Sequence, residues 1–332
     1  MKQVFTRVLA MATFALNSIG CTRDDEFTEF QFNAGANRVT FTSENVNLVG
    51  NLYLPNNYTN GTRLPAVIIS APWTQVKEQV GATYGQRLAN EGFAVLAFDH
   101  RFWGESGGTP RYLESTRAKA TDIRNAVTFL SGLRVVDAAN IGALGICAGV
   151  GNISLAAAAD NRIKSLATVS PWVQHPTTTP LFYGGAAGVQ NRIRISDSAQ
   201  NVFNTTGTMP YVDAYNPNDA RAAMFFPVDY YGNASRGAVQ QWTNRFAVAS
   251  WREWMELNTV DMARNISVPM YILYGDNTFL QDNITAYYNS LRGTKSIERV
   301  TGEHTEFYDL SGSGQTTQAV SRVAAHFRSS LR

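Results

Sequence analysis

Apolar and polar positions along the chain follow two rhythms. Val39–Ser43 and Leu48–Leu54 alternate with a period of two, which predicts an opening antiparallel pair of strands. Pro65–Ser70, Phe93–Phe98, Ile141–Ile146, Ile163–Val169 and Val268–Tyr274 are short continuous apolar runs, the pattern of strands buried on both faces. Ser296–Val300 predicts one more strand. Between the runs, Gln79–Glu91, Thr116–Leu133, Ala148–Ala159, Gln281–Leu291 and Thr316–Leu331 read as helices. Strands alternating with helices at short spacing imply parallel βαβ units and a doubly wound, mostly parallel sheet. In such a sheet the ligand site lies beyond the carboxyl ends of the strands. Asp99, Cys147, Asp276 and the segment after Ser70 all fall at such ends.

The rhythm breaks between residues 171 and 267. This stretch carries Trp172, Phe182, Tyr183, Trp242, Trp251, Trp254 and further aromatics, with no strand–helix alternation. So long an irregular stretch needs a partner surface. It predicts an inserted, mainly helical, aromatic-rich cap over the site, which leaves 37–170 and 268–332 as the α/β core.

The N-terminus changes the picture in another way. Lys2 and Arg7 precede the apolar run Val8–Leu16, too short to span a bilayer, and residues 1–21 read as an export signal. Gly20-Cys21 resembles a bacterial lipoprotein cleavage site, so Cys21 is a candidate lipid anchor. An ordinary secretory signal and an unprocessed arm are the alternatives, the last implying a cytoplasmic protein. Residues 22–36 are polar and read as a tether. The chain has only two cysteines, and their positions imply no disulfide between them. The 28 Lys and Arg residues are scattered and the formal net charge is +2, which argues against nucleic-acid binding. No metal or nucleotide motif appears, so no cofactor is expected.

The candidate chemistry starts at Gly145-Ile146-Cys147-Ala148-Gly149, where an apolar run turns into a small-residue helical pattern. This is the layout of a nucleophile elbow, a tight strand-to-helix turn that exposes one side chain and tolerates little bulk two residues to either side. The competing reading is a buried free cysteine in a glycine-rich turn. A thiol attacks as thiolate and needs a base or a cation nearby. His304, just after the last predicted strand, is the best-placed base. His100 also follows a strand and is its rival, while His175 and His326 lie in the cap and the closing helix. Asp276 ends the preceding strand and could hold the imidazole by its other nitrogen, with Asp282 as fallback; a helix-capping role competes for both. Oxyanion donors are expected at the backbone N–H of Ala148 and in the loop after Ser70, where Pro72 has none, which leaves Trp73 and then Thr74.

With these residues in view, the chain from about Val39 onward resembles the α/β-hydrolase superfamily, and more narrowly the YcjY-like hydrolases, related to dienelactone hydrolases and fungal polyketide transferases. The matching pieces are Val76-Lys77-Glu78-Gln79, Phe98-Asp99, Gly104-Glu105-Ser106-Gly107-Gly108, the Cys147 pentapeptide, Gly275-Asp276 and His304 through Tyr308-Asp309. The order nucleophile, acid, histidine is the one expected of that fold. The resemblance implies an α/β-hydrolase fold, a nucleophile at Cys147, a triad acid at Asp276 and a triad histidine at His304. It also suggests Glu78, with Lys77 near the mouth of the site, as an acid that restrains the resting thiol; a solvated helix start is the competing reading. Ala71 stands where relatives often carry His, Trp73-Thr74-Gln75 replaces a glycine-rich run, and Val150 replaces a small residue. The expected function is hydrolysis of an ester, thioester or lactone through a Cys147 acyl-enzyme, with His304 as base and Asp276 orienting it. An acyltransferase with the same machinery and a non-catalytic binding protein are the alternatives. The expected partner is a small acyl substrate, and Cys147 is expected to alkylate fast near neutral pH.

Overall fold

The computed structural model describes residues 31–309 and 314–331; residues 1–21, read above as an export signal, lie outside them with Cys21. The chain opens with β1 (Gly35–Ser43) and β2 (Val46–Leu54), then β3 (Leu64–Ser70), α1 (Ala82–Asn90), β4 (Ala94–Phe98), α2 (Thr116–Ser131), β5 (Val136–Ile146), α3 (Gly149–Ala159) and β6 (Ile163–Val169). An excursion holds α4 (Thr179–Phe182), α5 (Gly185–Thr206), β7 (Tyr211–Val212), α6 (Asp229–Gly232), β8 (Phe246–Ala247), α7 (Trp251–Glu256) and α8 (Thr259–Met262). The chain returns to the sheet with β9 (Met270–Asn277), α9 (Gln281–Ser290), β10 (Lys295–Glu303) and α10 (Gln315–Ser330).

Eight strands form one sheet in the order β1-β2-β4-β3-β5-β6-β9-β10. The first three neighbours pair antiparallel, and from β4 onward every pair is parallel. The all-apolar runs β3 and β4 lie inside the sheet, and their side chains divide between two cores. Val67 and Ile69 join Tyr84 and Leu88 of α1 and Val323 and Phe327 of α10 on one face. Ala66 and Ile68 join Ile123 and Val127 of α2, Ile153 of α3 and Tyr287 of α9 on the other. This is the period-two alternation of a strand, read here as two hydrophobic faces rather than one. Among the described residues no helix is long and apolar enough to cross a bilayer.

One expectation needs correction. The helix expected from Gln79 instead begins at Ala82, after a π-helical turn over Lys77–Gly81 in which Gln79 has non-helical dihedrals. The excursion between β6 and β9 carries α4 to α8, of which α5 is the longest; residues 207–245 hold a two-residue ribbon strand and the four-residue α6. Its aromatics serve packing rather than a helical stripe, which is why they showed no period. Trp73 from the sheet edge stacks on Trp254 (ring centroids 4.3 Å apart), while Phe246 and Trp251 meet it edge-on.

Candidate active site

β5 ends at Ile146 and α3 begins at Gly149, so Cys147 sits on the bend between them with φ +54°. A non-glycine residue in the left-handed region is strained and has to be held there. The Cys147 N–H donates to the Val169 carbonyl at the end of β6, and the Cys147 carbonyl accepts from Val150 N–H in the first turn of α3. The glycines have a steric reason. A Cβ on Gly149 would lie 2.1 Å from the Ser70 carbonyl oxygen, and one on Gly145 would lie 2.7 Å from Gly149 backbone atoms. These are backbone contacts with no flexible end to yield. Gly149→Ala is therefore expected to lower the urea midpoint of unfolding, by a loss of about 1–3 kcal/mol; an unchanged midpoint would contradict the tight elbow.

The same close approach carries the loop after β3 to the sulfur. Asn152 on α3 donates to Ser70 Oγ at 3.0 Å, tying the end of β3 to the elbow helix. Trp73 and Thr74 follow, with Thr74 at φ +64°. Two groups brace this turn: Tyr231 Oη donates to the Trp73 carbonyl (3.2 Å) and Trp242 Nε1 donates to the Thr74 carbonyl (2.9 Å). The buried Glu114 carboxylate lies near the Thr74 N–H. Glu114 is itself paired with buried Lys119. With its carbonyl turned to Tyr231, Trp73 presents its N–H to the Cys147 sulfur, alongside the N–H of Ala148.

His304 lies on a single 3₁₀ turn, His304–Phe307, directly after β10. Ser170 Oγ donates to its carbonyl (2.8 Å), and Tyr84 Oη donates to the Phe307 carbonyl (2.7 Å). Its ring is enclosed by Trp172, Phe279 and Tyr308. Cys147 and His304 line one small cavity of about 50 Å³, shared with Trp73, Ala148, Tyr231 and Tyr308. Most of the remaining wall comes from the excursion, through Tyr183, Met224, Phe226, Val228 and Trp254. No lining residue is an Asp, Glu, Lys or Arg. Two buried polar atoms of lining residues, His304 Nε2 and Trp73 Nε1, have no hydrogen-bond partner.

Burial dominates the electrostatics. It pushes the Cys147 thiol up to about 11, against the opposing pull of the Tyr308 hydroxyl and the Ala148 and Trp73 N–H groups, all of which favour thiolate. It also lowers His304 to about 4, with no charged neighbour contributing. Both groups are therefore neutral at rest near pH 7, which removes the basis for fast alkylation of Cys147. Tyr308 and Tyr231 are raised well above the ordinary tyrosine range by burial and then by their nearness to Cys147.

The expected site residues divide. Cys147, His304, Ala148 and Trp73 converge on the cavity. Asp276 does not reach the imidazole: its carboxylate accepts from the Gly302 N–H (3.1 Å), and Asp282 is exposed on α9. The partner on His304 Nδ1 is Thr278 Oγ1, at 2.6 Å. Lys77 and Glu78 do not line the cavity. Lys77 is buried, and its ammonium is taken up by Asp99 (2.9 Å), Glu105 (2.6 Å) and Glu78 (2.6 Å). Glu78 thus pairs with a lysine rather than restraining the thiol. Thr74 braces the loop and stays out of the cavity lining. His100 is buried against Phe98, with Asp122 3.5 Å away, and lines no part of the cavity. Tyr308, Tyr231 and Thr278 had no role in the sequence reading. Tyr308 stood inside the matched His304–Asp309 motif, a signal that could have found it; hydroxyls in irregular segments carry no local signature. Among the described residues no group of three or more His, Cys, Asp or Glu could hold a metal ion.

The comparisons follow this geometry. The sequence profile described as X-Pro dipeptidyl-peptidase (S15 family) matches residues 44–306. The chain is 41% identical over 137 residues to the uncharacterized protein YcjY of Escherichia coli, covering 40% of this chain and 45% of YcjY, less than half of that relative's length. It is 31% identical over 284 residues to the uncharacterized protein PA2218 of Pseudomonas aeruginosa, covering 82% of this chain and 76% of that one. The crystal structure of PA2218 superposes with a TM-score of 0.76 over 91% of this chain and 96% of that one, at 27% identity. A thiohydrolase of Eupenicillium brefeldianum is 28% identical over 210 residues, 62% of this chain and 67% of that one, and fungal polyketide transferases match as well. With an elbow on a mostly parallel eight-stranded sheet and a profile match over most of its length, the chain is an α/β hydrolase and belongs to the X-Pro dipeptidyl-peptidase (S15) family.

Proposed function

We propose that the protein cleaves an activated acyl group, in an ester, thioester or lactone, through an acyl-enzyme on Cys147. One observation carries the reading: a buried thiol flanked by two backbone N–H groups shares an aromatic-lined cavity with an imidazole whose Nε2 is unpartnered. The substrate carbonyl would sit with its oxygen toward the Ala148 and Trp73 N–H groups. As the sulfur–carbon bond forms, the thiol proton passes to His304 Nε2 and the carbonyl electrons collect on the oxyanion. Each such donor is worth about 3–4 kcal/mol to the transition state. Collapse expels the leaving group, which takes the proton back from Nε2, and water or another acceptor then releases the acyl group by the reverse sequence.

The neutral resting pair shapes the substrate choice. With the thiolate formed only during attack, an acyl carbon that is already electrophilic is favoured over an amide. Cleavage of an N-terminal dipeptide also calls for a carboxylate to meet the substrate's ammonium, and the cavity lining offers none. The thiohydrolase among the relatives is consistent with the thioester branch. A largely apolar wall drawn from the excursion, acting as a cap, would limit water at the acyl-enzyme and so supports transfer to an alcohol as a second reading.

The test is to mix the protein with p-nitrophenyl and thiophenyl acyl esters and look by mass spectrometry for an acyl adduct on the Cys147 peptide. An adduct is expected, and its decay with and without added alcohols separates hydrolysis from transfer. Turnover with no adduct, or an adduct on another residue, would overturn the reading.

A further inference from the structure

The chain holds its imidazole by a hydroxyl where a carboxylate was expected. Thr278 lies two residues beyond Asp276, at the start of the loop that leads into α9, and its Oγ1 is 2.6 Å from His304 Nδ1. Other charged groups nearby are engaged elsewhere. The Asp276 carboxylate accepts from the Gly302 N–H. Glu303 accepts from Asn277 Nδ2, and Glu306 turns back to the Glu303 N–H. Arg236 donates to the Thr305 carbonyl and pairs with Asp309 and Asp229. On the cavity side the other titratable groups are Cys147 and the tyrosines Tyr183, Tyr231 and Tyr308.

Resting on the proposed Cys147 chemistry, we infer that Thr278 is the positioning residue of the site, accepting the Nδ1 proton of His304 and so leaving Nε2 as a free base at the cavity shared with the thiol. Two observations set the direction of this hydrogen bond. His304 Nε2 is buried without a partner. Were Thr278 the donor, Nε2 would carry a buried N–H with no acceptor, a rarer and costlier arrangement than an unused lone pair. Thr278 is only half-buried, so its own hydroxyl proton can turn to solvent while its oxygen accepts. A hydroxyl orients the ring as a carboxylate would, but it adds no negative charge to steady the imidazolium that forms during attack. That matches a histidine lowered to about 4 by burial alone. The site would therefore keep its base unprotonated in mildly acidic solution, at the cost of a weaker base.

Two measurements test this. The first needs no turnover: ¹⁵N–¹H correlation spectra of histidine-labelled protein at pH 7 should show His304 as the Nδ1–H tautomer, and an Nε2–H pattern would overturn the inference whatever the protein's activity. The second is the pH profile of kcat/KM on a p-nitrophenyl ester. Thr278→Ser should keep both rate and profile. Thr278→Val should lower kcat by roughly tenfold to a hundredfold with KM little changed, since the ring loses its orientation. Thr278→Asp should move the acid limb upward by roughly 1–3 pH units, because a carboxylate would then favour the imidazolium. An unshifted limb in Thr278→Asp together with wild-type kcat in Thr278→Val would sink the assignment. Loss of the Cys147 acyl adduct in the wild-type protein would instead sink the chemistry on which it rests.

Discussion

Cys147→Ala should lower kcat/KM on a p-nitrophenyl thioester by roughly 10⁴-fold or more, the scale on which nucleophile deletions act in comparable sites. The melting temperature should move by only a few degrees. The sulfur sits in the cavity wall among the Tyr308 hydroxyl and the Ala148 and Trp73 N–H groups, and alanine accepts the same backbone as cysteine, whose φ of +54° is imposed by the Val169 and Val150 contacts. A large rate loss with little change in stability separates a chemical role from a packing role. The other reading of this residue, a buried structural cysteine, makes the opposite forecast: a measurable loss of stability and an unchanged rate. Cys147→Ser is the sharper variant. It preserves shape, yet a hydroxyl needs a stronger base than a thiol does, and His304 has Thr278 on Nδ1 instead of a carboxylate. Serine is therefore expected to recover little of the lost rate. Wild-type turnover in Cys147→Ala would remove the nucleophile from the proposal.

What the sequence showed plainly was whatever depends on neighbours along the chain. The buried strands are local apolar runs, and the elbow is a steric demand on positions two before and two after one residue, so Gly145 and Gly149 announced Cys147. Its neighbour Ala148 followed without further information. Trp73 was reachable because proline eliminates one candidate and the loop after the first buried strand must pass the elbow. The misses come from convergence of distant segments. Lys77 reads as a solvated helix start, but the carboxylates that bury it arrive from Asp99 and Glu105. Asp276 has the right residue type at the right strand end, yet its carboxylate finds the Gly302 N–H on the adjacent strand β10, and a threonine two residues later meets the ring. Residue type and strand position narrow a site to a loop; they do not choose among side chains within reach of each other there. The aromatic excursion shows the same limit on a larger scale, since its order comes from rings packed across segments with no shared period.

Iodoacetamide should alkylate Cys147 slowly at pH 7.5, and the rate should climb about tenfold per pH unit from 8 to 10 with no plateau near 8.5. The sign follows from the thiol's position at about 11, raised from the usual value of 9.0 because burial penalises the thiolate. A group displaced in that direction holds its proton through the neutral range and releases it only as the solution approaches the raised value. Against an ordinary thiol near 8.5, the reactive fraction at pH 7.5 falls by roughly 300-fold. A more basic thiolate is intrinsically more nucleophilic, which returns about one decade. The net slowing is then roughly tenfold to a hundredfold before the burial of the sulfur adds its own hindrance. His304→Ala should change this rate little, because an imidazole lowered to about 4 takes no proton from the resting thiol. Substrate should do what the imidazole alone does not: a carbonyl oxygen seated on the Ala148 and Trp73 N–H groups gives the forming charge somewhere to go, and the proton moves only then. A resting thiolate–imidazolium pair would look entirely different. Alkylation would be fast and flat from about pH 5 to 8, and it would drop sharply in His304→Ala. That outcome would show that burial does not control the pair and would restore the activated resting nucleophile expected from the sequence.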